Sequence, residues 1–300
     1  MASRPEGAAQ GYIDPNWPPP GEDGDATIII YGYTPNFALC ILALVLFFIL
    51  GLGHGWQLLK YRTWYFSTMM VGIAFEIIGY IARTLSAKRN PYKVSYFVIQ
   101  YFFIVVAPVF FAAAIYTVLS VLIRAVPDGV RHAPLRPKLI LWIFITCDVV
   151  ATVIQIVGAA LIGVAYSNRR DPSTPNHILL AGLVFQAATF AVFVGLLGLF
   201  IWRARAGAFK AAGKVFYASF GLAVMFIYLR ICFRLAETAQ GLEGELQSHE
   251  VYFGTLEFMP VIIALALLAV WHPGRCFQRG NIGGTKRSKK EERDGVRVEQ

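Results

Sequence analysis

Charge is scarce in this chain of 300 residues, of which only 15% are Asp, Glu, Lys or Arg. A soluble domain of that length carries about 25%, so an ordinary water-facing surface is excluded. The apolar surplus, 57% of residues with a mean hydropathy of +0.56, calls for lipid around it. Other absences narrow the function. There is no Gly-x-x-x-x-Gly-Lys-Ser/Thr loop, because Gly283-Gly284-Thr285-Lys286 is only glycine beside basic residues, and a Walker-type ATPase is excluded. The last apolar run has no Lys for a retinal Schiff base and no Asn-Pro-x-x-Tyr. The third ends Ser120-Val121-Leu122-Ile123-Arg124, without the Asp/Glu-Arg-Tyr of common heptahelical receptors. Nothing resembles a Ser–His–Asp or Cys–His nucleophile set, so an enzyme is not expected. Cys40, Cys147 and Cys232 lie in apolar runs and read as small core residues, while Cys276 beside Arg275 is a palmitoylation candidate. His54, His132, His177, His249 and His272 form no i, i+4 pair, so neither a metal site nor a cofactor is expected, and His54 and His272 read as interfacial caps. There is no Asn-x-Ser/Thr sequon and no cleavable signal peptide; residues 1–30, with Pro18, Pro19, Pro20, Glu22, Asp23 and Asp25, read as a disordered leader.

What is present is a set of seven apolar runs, at 34–55, 64–84, 96–124, 139–165, 177–202, 215–236 and 252–271. Each is about the 20 residues that a helix needs to cross a bilayer core. The expected fold is therefore all-α: a polytopic bundle of seven transmembrane helices over 31–273, followed by a basic tail, 274–300. Aromatics such as Tyr31, Trp56, Trp64, Tyr166, Trp202 and Trp271 gather at the run ends, as an interfacial belt does. Pro108 predicts a kink or tilt in the third run. The basic residues of the loops, run ends and tail number eighteen on the side holding the tail and six on the other, which predicts N-out, C-in. That placement in short loops and tail also argues against nucleic acid as the partner of a chain with net charge +9. The tail run 286–297 is suited to anionic inner-leaflet lipid.

Ionisable residues within the runs need a reason, because a charge at the helix centre costs roughly 2.5–3.5 kcal/mol on insertion scales. Glu76, Tyr80 and Arg83 share one face of the second run; Glu76 and Arg83 are about 10 Å apart along the axis, too far for a good pair, so each should meet another helix. Asp148 and Gln155 share a face of the fourth. Arg230, Arg234 and Glu237 form a stripe in the sixth, where Arg234 and Glu237 have the spacing to pair directly. Glu250 and Glu257 begin the seventh, and Gln100 and Gln186 add neutral polar groups. On the predicted orientation Arg83, Arg230, Arg234, Glu237, Glu250 and Glu257 lie in the outer half, with Glu76 and Asp148 deeper. The expectation is a charged cavity open toward the outer leaflet, floored by Glu76 and Asp148. The alternative is a buried ion-pair network that only locks the bundle.

The ordered polar set also resembles a known family. Arg234-x-x-Glu237, Gly241-x-x-Gly244, His249-Glu250 and Tyr252 carry most of it. Glu76-x-x-Gly79-Tyr80-x-x-Arg83, Gln100, Ala107-Pro108, Ala113-x-x-Tyr116, Asp148 with Gln155 and Gly158, and Gly182-Leu183-x-x-Gln186 complete it. Across roughly 30–272 the chain resembles the fungal RTA-like proteins, or lipid-translocating exporters, departing in Glu257 where an Asp is expected. The resemblance implies an N-out heptahelical protein, at the plasma membrane or an endomembrane, that moves or resists amphiphiles: sphingoid long-chain bases, sterol-like toxic compounds, or porphyrin and haem. The expected partner is an amphiphilic lipid or small hydrophobic cation. A heptahelical lipid sensor is the rival reading, separated by whether the purified protein moves lipid or only binds it.

Overall fold

A computed structural model of the chain describes residues 12–276, apart from 19, 22, 23, 27, 127, 168–172, 242 and 243 and the side chains of 163, 166, 167, 206, 208, 210 and 211. The leader up to residue 11, Arg169, Arg170, Glu243 and the basic run 286–297 lie outside the described residues. Seven helices are long and apolar enough to cross a membrane, and the chain is an integral membrane protein. They are α1 (Phe37–Tyr61), α2 (Ser67–Lys88), α3 (Val94–Ala125), α4 (Pro137–Ser167), α5 (Ser173–Ala212) and α6 (Lys214–Gln240). The seventh, α7, is assembled from Glu250–Tyr252, a π-turn Phe253–Phe258 and Met259–Val270. Neighbours in sequence pack as neighbours in space, and α7 returns to touch α1, so the bundle closes as a ring, with α3 also reaching across to α6. Seven passes put the two ends of the chain at opposite faces, here the amino face and the carboxyl face.

Local chemistry sets the helix ends. Asn36 caps α1, its side-chain oxygen accepting from the amides of Ala38 (2.9 Å) and Leu39 (3.3 Å). Arg62 ends α1 in the left-handed region and its amide returns to the Leu58 carbonyl. The sequence places a loop after 202, but α5 continues to Ala212 because this stretch is rich in alanine, the best helix former. One residue, Gly213 at φ +80°, then turns the chain into α6.

α4 and α5 meet backbone to backbone. A Cβ on Gly158 would lie 2.5 Å from the Leu179 amide nitrogen, and one on Gly182 would lie 3.0 Å from the Ala151 carbonyl oxygen. Without water to drive association, such small-residue contacts hold membrane helices together. Deeper packing is aromatic, with Tyr116 of α3 against Phe144 of α4 and Phe190 and Phe193 of α5. α1 and α4 turn apolar side chains outward, including Trp56 and Trp142, as lipid-facing helices do.

Two expectations are corrected. The described part of the leader is packed against the amino face. Ile29 and Tyr31 are buried with Tyr92, Asp14 accepts a 2.5 Å hydrogen bond from Thr34, and Asp25 accepts from the Asn90 amide group at 2.9 Å. The average composition of 1–30 hid these few apolar anchors. His54 and His272 are not interfacial caps but fully buried, their rings 6.3 Å apart and packed on Phe66.

Candidate functional site

The charged side chains form a ladder of ion pairs between α2, α6 and α7. At the amino face, Arg83 of α2 reaches Glu250 of α7 at 3.2 Å and donates to the Tyr33 hydroxyl at 2.7 Å. Its guanidinium lies 4.0 Å from the centre of the Phe253 ring and 5.3 Å from that of Tyr31. Burial pushes the hydroxyl of Tyr31 up to about 12, against the lowering influence of Arg83. Glu250 also accepts the Asn36 amide through both oxygens, at 2.9 and 3.0 Å, which ties α7 to the start of α1.

The central rung is Arg230 of α6. One of its nitrogens lies 2.6 Å from Glu257 of α7 and 3.9 Å from Glu76 of α2, and donates to the Ile104 carbonyl of α3 at 2.7 Å. That carbonyl is available because of Pro108. Proline has no N–H to return to the residue four positions back, and in lipid the freed acceptor needs another partner. The guanidinium therefore ties four helices together at one point. The third rung, Arg234 to Glu237 at 2.6 Å, lies within α6, with the guanidinium above the Tyr101 ring.

The π-turn decides where the two α7 acids point. In a regular helix, residues seven apart share a face. Here the Met259 amide returns five residues to Gly254, and one extra residue offsets the register by roughly 100°. Glu250 accordingly faces Arg83 and Asn36, while Glu257 faces Arg230. Pro260, which has no amide to offer the Leu256 carbonyl, is the local cause.

The remaining expected residues are dispersed around the ladder. Gln155 of α4 donates to Gln186 of α5 at 2.9 Å. Asp148 stands apart, accepting a 2.7 Å hydrogen bond from Tyr116, with no ion pair to it found among the described residues. Gln100 is buried, and its carbonyl oxygen has no partner among the described residues. Tyr80 belongs to an aromatic cluster with Phe47, Phe253 and Phe258.

The expected open cavity is not what these residues make. The space between Pro108, Gln155, Gln186, Arg230 and Arg234 is about 10 Å³, close to the room one water needs. Arg230 pairs across helices and Arg234 within α6, and Asp148 is no part of the lining of this space. A charge imbalance remains. Glu76, Glu237 and Glu257 face Arg230 and Arg234, and Asp148 adds a further acid whose one side-chain partner among the described residues is Tyr116. Spacing alone pointed to Arg234–Glu237 and to inter-helix partners for Glu76 and Arg83. It missed Tyr33, Asn36 and the Ile104 carbonyl; only the last had a signal, the proline four residues on.

Comparison with known proteins agrees in one direction. The family model described as RTA1 like protein matches residues 69–280. The sphingoid long-chain base transporter RSB1 of Saccharomyces cerevisiae (strain Lalvin EC1118 / Prise de mousse) is 30% identical over 284 residues, covering 82% of this chain and 74% of the relative. The probable lipid transporter atnI of Emericella nidulans is 28% identical, covering 88% and 70%. Protein RTA1 of Saccharomyces cerevisiae is 27% identical, covering 81% and 84%. No solved structure matches.

Proposed function

The chain belongs to the RTA1-like protein family, and from that membership we propose that it is a lipid transporter, moving a single-chain amphiphile that carries an amine, such as a sphingoid long-chain base. The observation that carries the substrate class is the acid surplus. Three acids sit with two guanidinium groups among α2, α6 and α7, and among the described residues Asp148 has the Tyr116 hydroxyl and no guanidinium. A buried acid without a cationic partner is costly to ionise in a low-dielectric bundle. A cationic headgroup would offset it, whereas a phosphorylated lipid would add to it. The names of the relatives support a lipid cargo, RSB1 a sphingoid base in particular. In this reading the amino face is outside and the tail meets inner-leaflet lipid, which the eighteen-to-six distribution of Lys and Arg supports, in the plasma membrane or an endomembrane.

The tight ladder would be the closed state of such a carrier. Passage requires the Arg230 rung to open, with the amine of the cargo replacing a guanidinium at Glu76 or Glu257. The test is a labelled sphingoid base in proteoliposomes of the purified chain, with outer-leaflet label quenched chemically. Wild type should exchange label between leaflets, and Glu76→Gln, which removes the acid most weakly held by Arg230, should slow that exchange at least tenfold. Binding without exchange by the wild type would replace transport with sensing.

A further inference from the structure

Helices α1 and α7 meet over a short stretch. Beside it, toward the amino face, lies an open groove of about 530 Å³ between Asn36, Leu39, Leu42, Glu250, Phe258 and Met259. That volume is within the range of ligand sites. From Glu250 to Met259 the wall runs about 14 Å at 1.5 Å per residue, close to half of the ~30 Å hydrocarbon core. The groove thus reaches from the interface to the bilayer midplane, the depth of one leaflet.

Its chemistry is graded along that depth. Glu250 and Asn36 stand at the mouth, and the deeper walls are Leu39, Leu42, Phe258 and Met259. The side chain of Glu250 is 19% exposed, while that of Arg83 behind it is 1% exposed. The groove therefore meets a carboxylate and not the guanidinium. At the back, Gly254 leaves the space open, since a Cβ there would meet only Leu39, at 3.6 Å.

We propose that this groove is a lateral docking site for one membrane amphiphile, with a protonated primary amine on the Glu250 carboxylate and a single hydrocarbon tail lying between α1 and α7. The site deepens the transport reading and rests on it for its purpose, as the place where cargo leaves the leaflet. An amine at Glu250 competes with Arg83 for the same oxygen, so loading pulls on the first rung of the ladder. The acceptor at the mouth favours an amine over an alcohol of equal chain length, and the one-leaflet depth fits a single extended tail.

The probe is dodecylamine, whose extended chain matches the length of the groove, carrying a diazirine midway along the chain, with the matching dodecanol as control, applied to the full chain in phosphatidylcholine nanodiscs. The amine should label residues 39–42 and 254–259 at least tenfold more than the alcohol does. Glu250→Gln should bring amine labelling down to the alcohol level. Leu42→Trp, which fills the groove from a lipid-exposed position without touching an ion pair, should lower labelling by both probes and carries the test if the first variant does not fold. Labelling spread evenly over the lipid-facing helices, or unchanged in both variants, overturns the site. So does a Leu42→Cys variant that cross-links two copies through this face, which would make the groove a seam between copies. Labelling in place without lipid exchange keeps the groove and removes transport; full exchange by an unlabelled Leu42→Trp protein removes the groove and keeps transport.

Discussion

Replacing Arg230 by Met should be among the most damaging single changes to this bundle. The substitution preserves bulk and removes one guanidinium that lies 2.6 Å from Glu257, 3.9 Å from Glu76 and 2.7 Å from the Ile104 carbonyl. Breaking a buried pair by deleting one partner costs about 3–5 kcal/mol. Leaving the carbonyl without a donor costs about 1–3 kcal/mol more. The losses share one group and do not simply add, so about 4–6 kcal/mol is expected. At about 2–4 °C per kcal/mol for chains of 150–250 residues, the melting midpoint should fall by on the order of 10 °C. The assay is heating in detergent with a thiol-reactive dye, which reads the fully buried Cys40 as it becomes accessible. The informative companion is Arg230→Met with Glu76→Gln and Glu257→Gln. Neutralising all three should recover most of the lost stability while lipid exchange stays abolished. If the single variant melts within about 1 kcal/mol of wild type, or the triple is no more stable than the single, the central rung is not the electrostatic keystone described above.

Other outcomes follow from the same geometry. Pro108→Ala restores an amide that can bond the Ile104 carbonyl; hydrogen exchange at residue 108 should show a protected amide, and exchange of lipid should change because Arg230 loses its anchor on α3. Gly158→Ala should cost about 1–3 kcal/mol by overpacking against the α5 backbone, whereas Gly195→Ala, with nothing near its added Cβ, should leave the melting midpoint unchanged. The hydrogen bond from Thr34 holds the Asp14 carboxyl below its ordinary range. The strap it pins is therefore fully stabilised above that range and loosens as pH falls through the lowered folded value. Amide exchange over residues 29–34 should rise in acid, and Thr34→Val should remove most of that pH dependence.

The seven spans were legible because each is a long apolar run and lipid leaves the backbone few options. Which residues pair was legible only where spacing decides it: Arg234 with Glu237 within one turn, and Glu76 and Arg83 too distant for each other. The partners on other helices were not, because azimuth accumulates errors of 100° per misplaced residue. The π-turn at Phe253–Phe258 introduces one such offset, so Glu250 and Glu257, which share a stripe in a regular helix, contact different neighbours. The packing of Tyr31 and Tyr33 over Arg83 was not legible because aromatics at the end of an apolar run read equally well as an interfacial belt. The open chamber failed for an electrostatic reason. Opposite charges inside a bilayer do not wait apart for a ligand, but close on one another until something with a competing charge arrives.

The single-residue joint at Gly213 has a mechanical consequence. α5 continues to Ala212 before the chain reverses into α6, and in this carboxyl-terminal arm Phe209 packs edge-on against Tyr217 of α6. With so little slack, α6 cannot slide along its own axis without dragging that arm. Arg230, Arg234 and Glu237 all ride on α6, so a rearrangement around them has a lever at the carboxyl face. A reporter dye on that arm would register events near the bilayer centre, and anything that grips the arm would act as a brake on them.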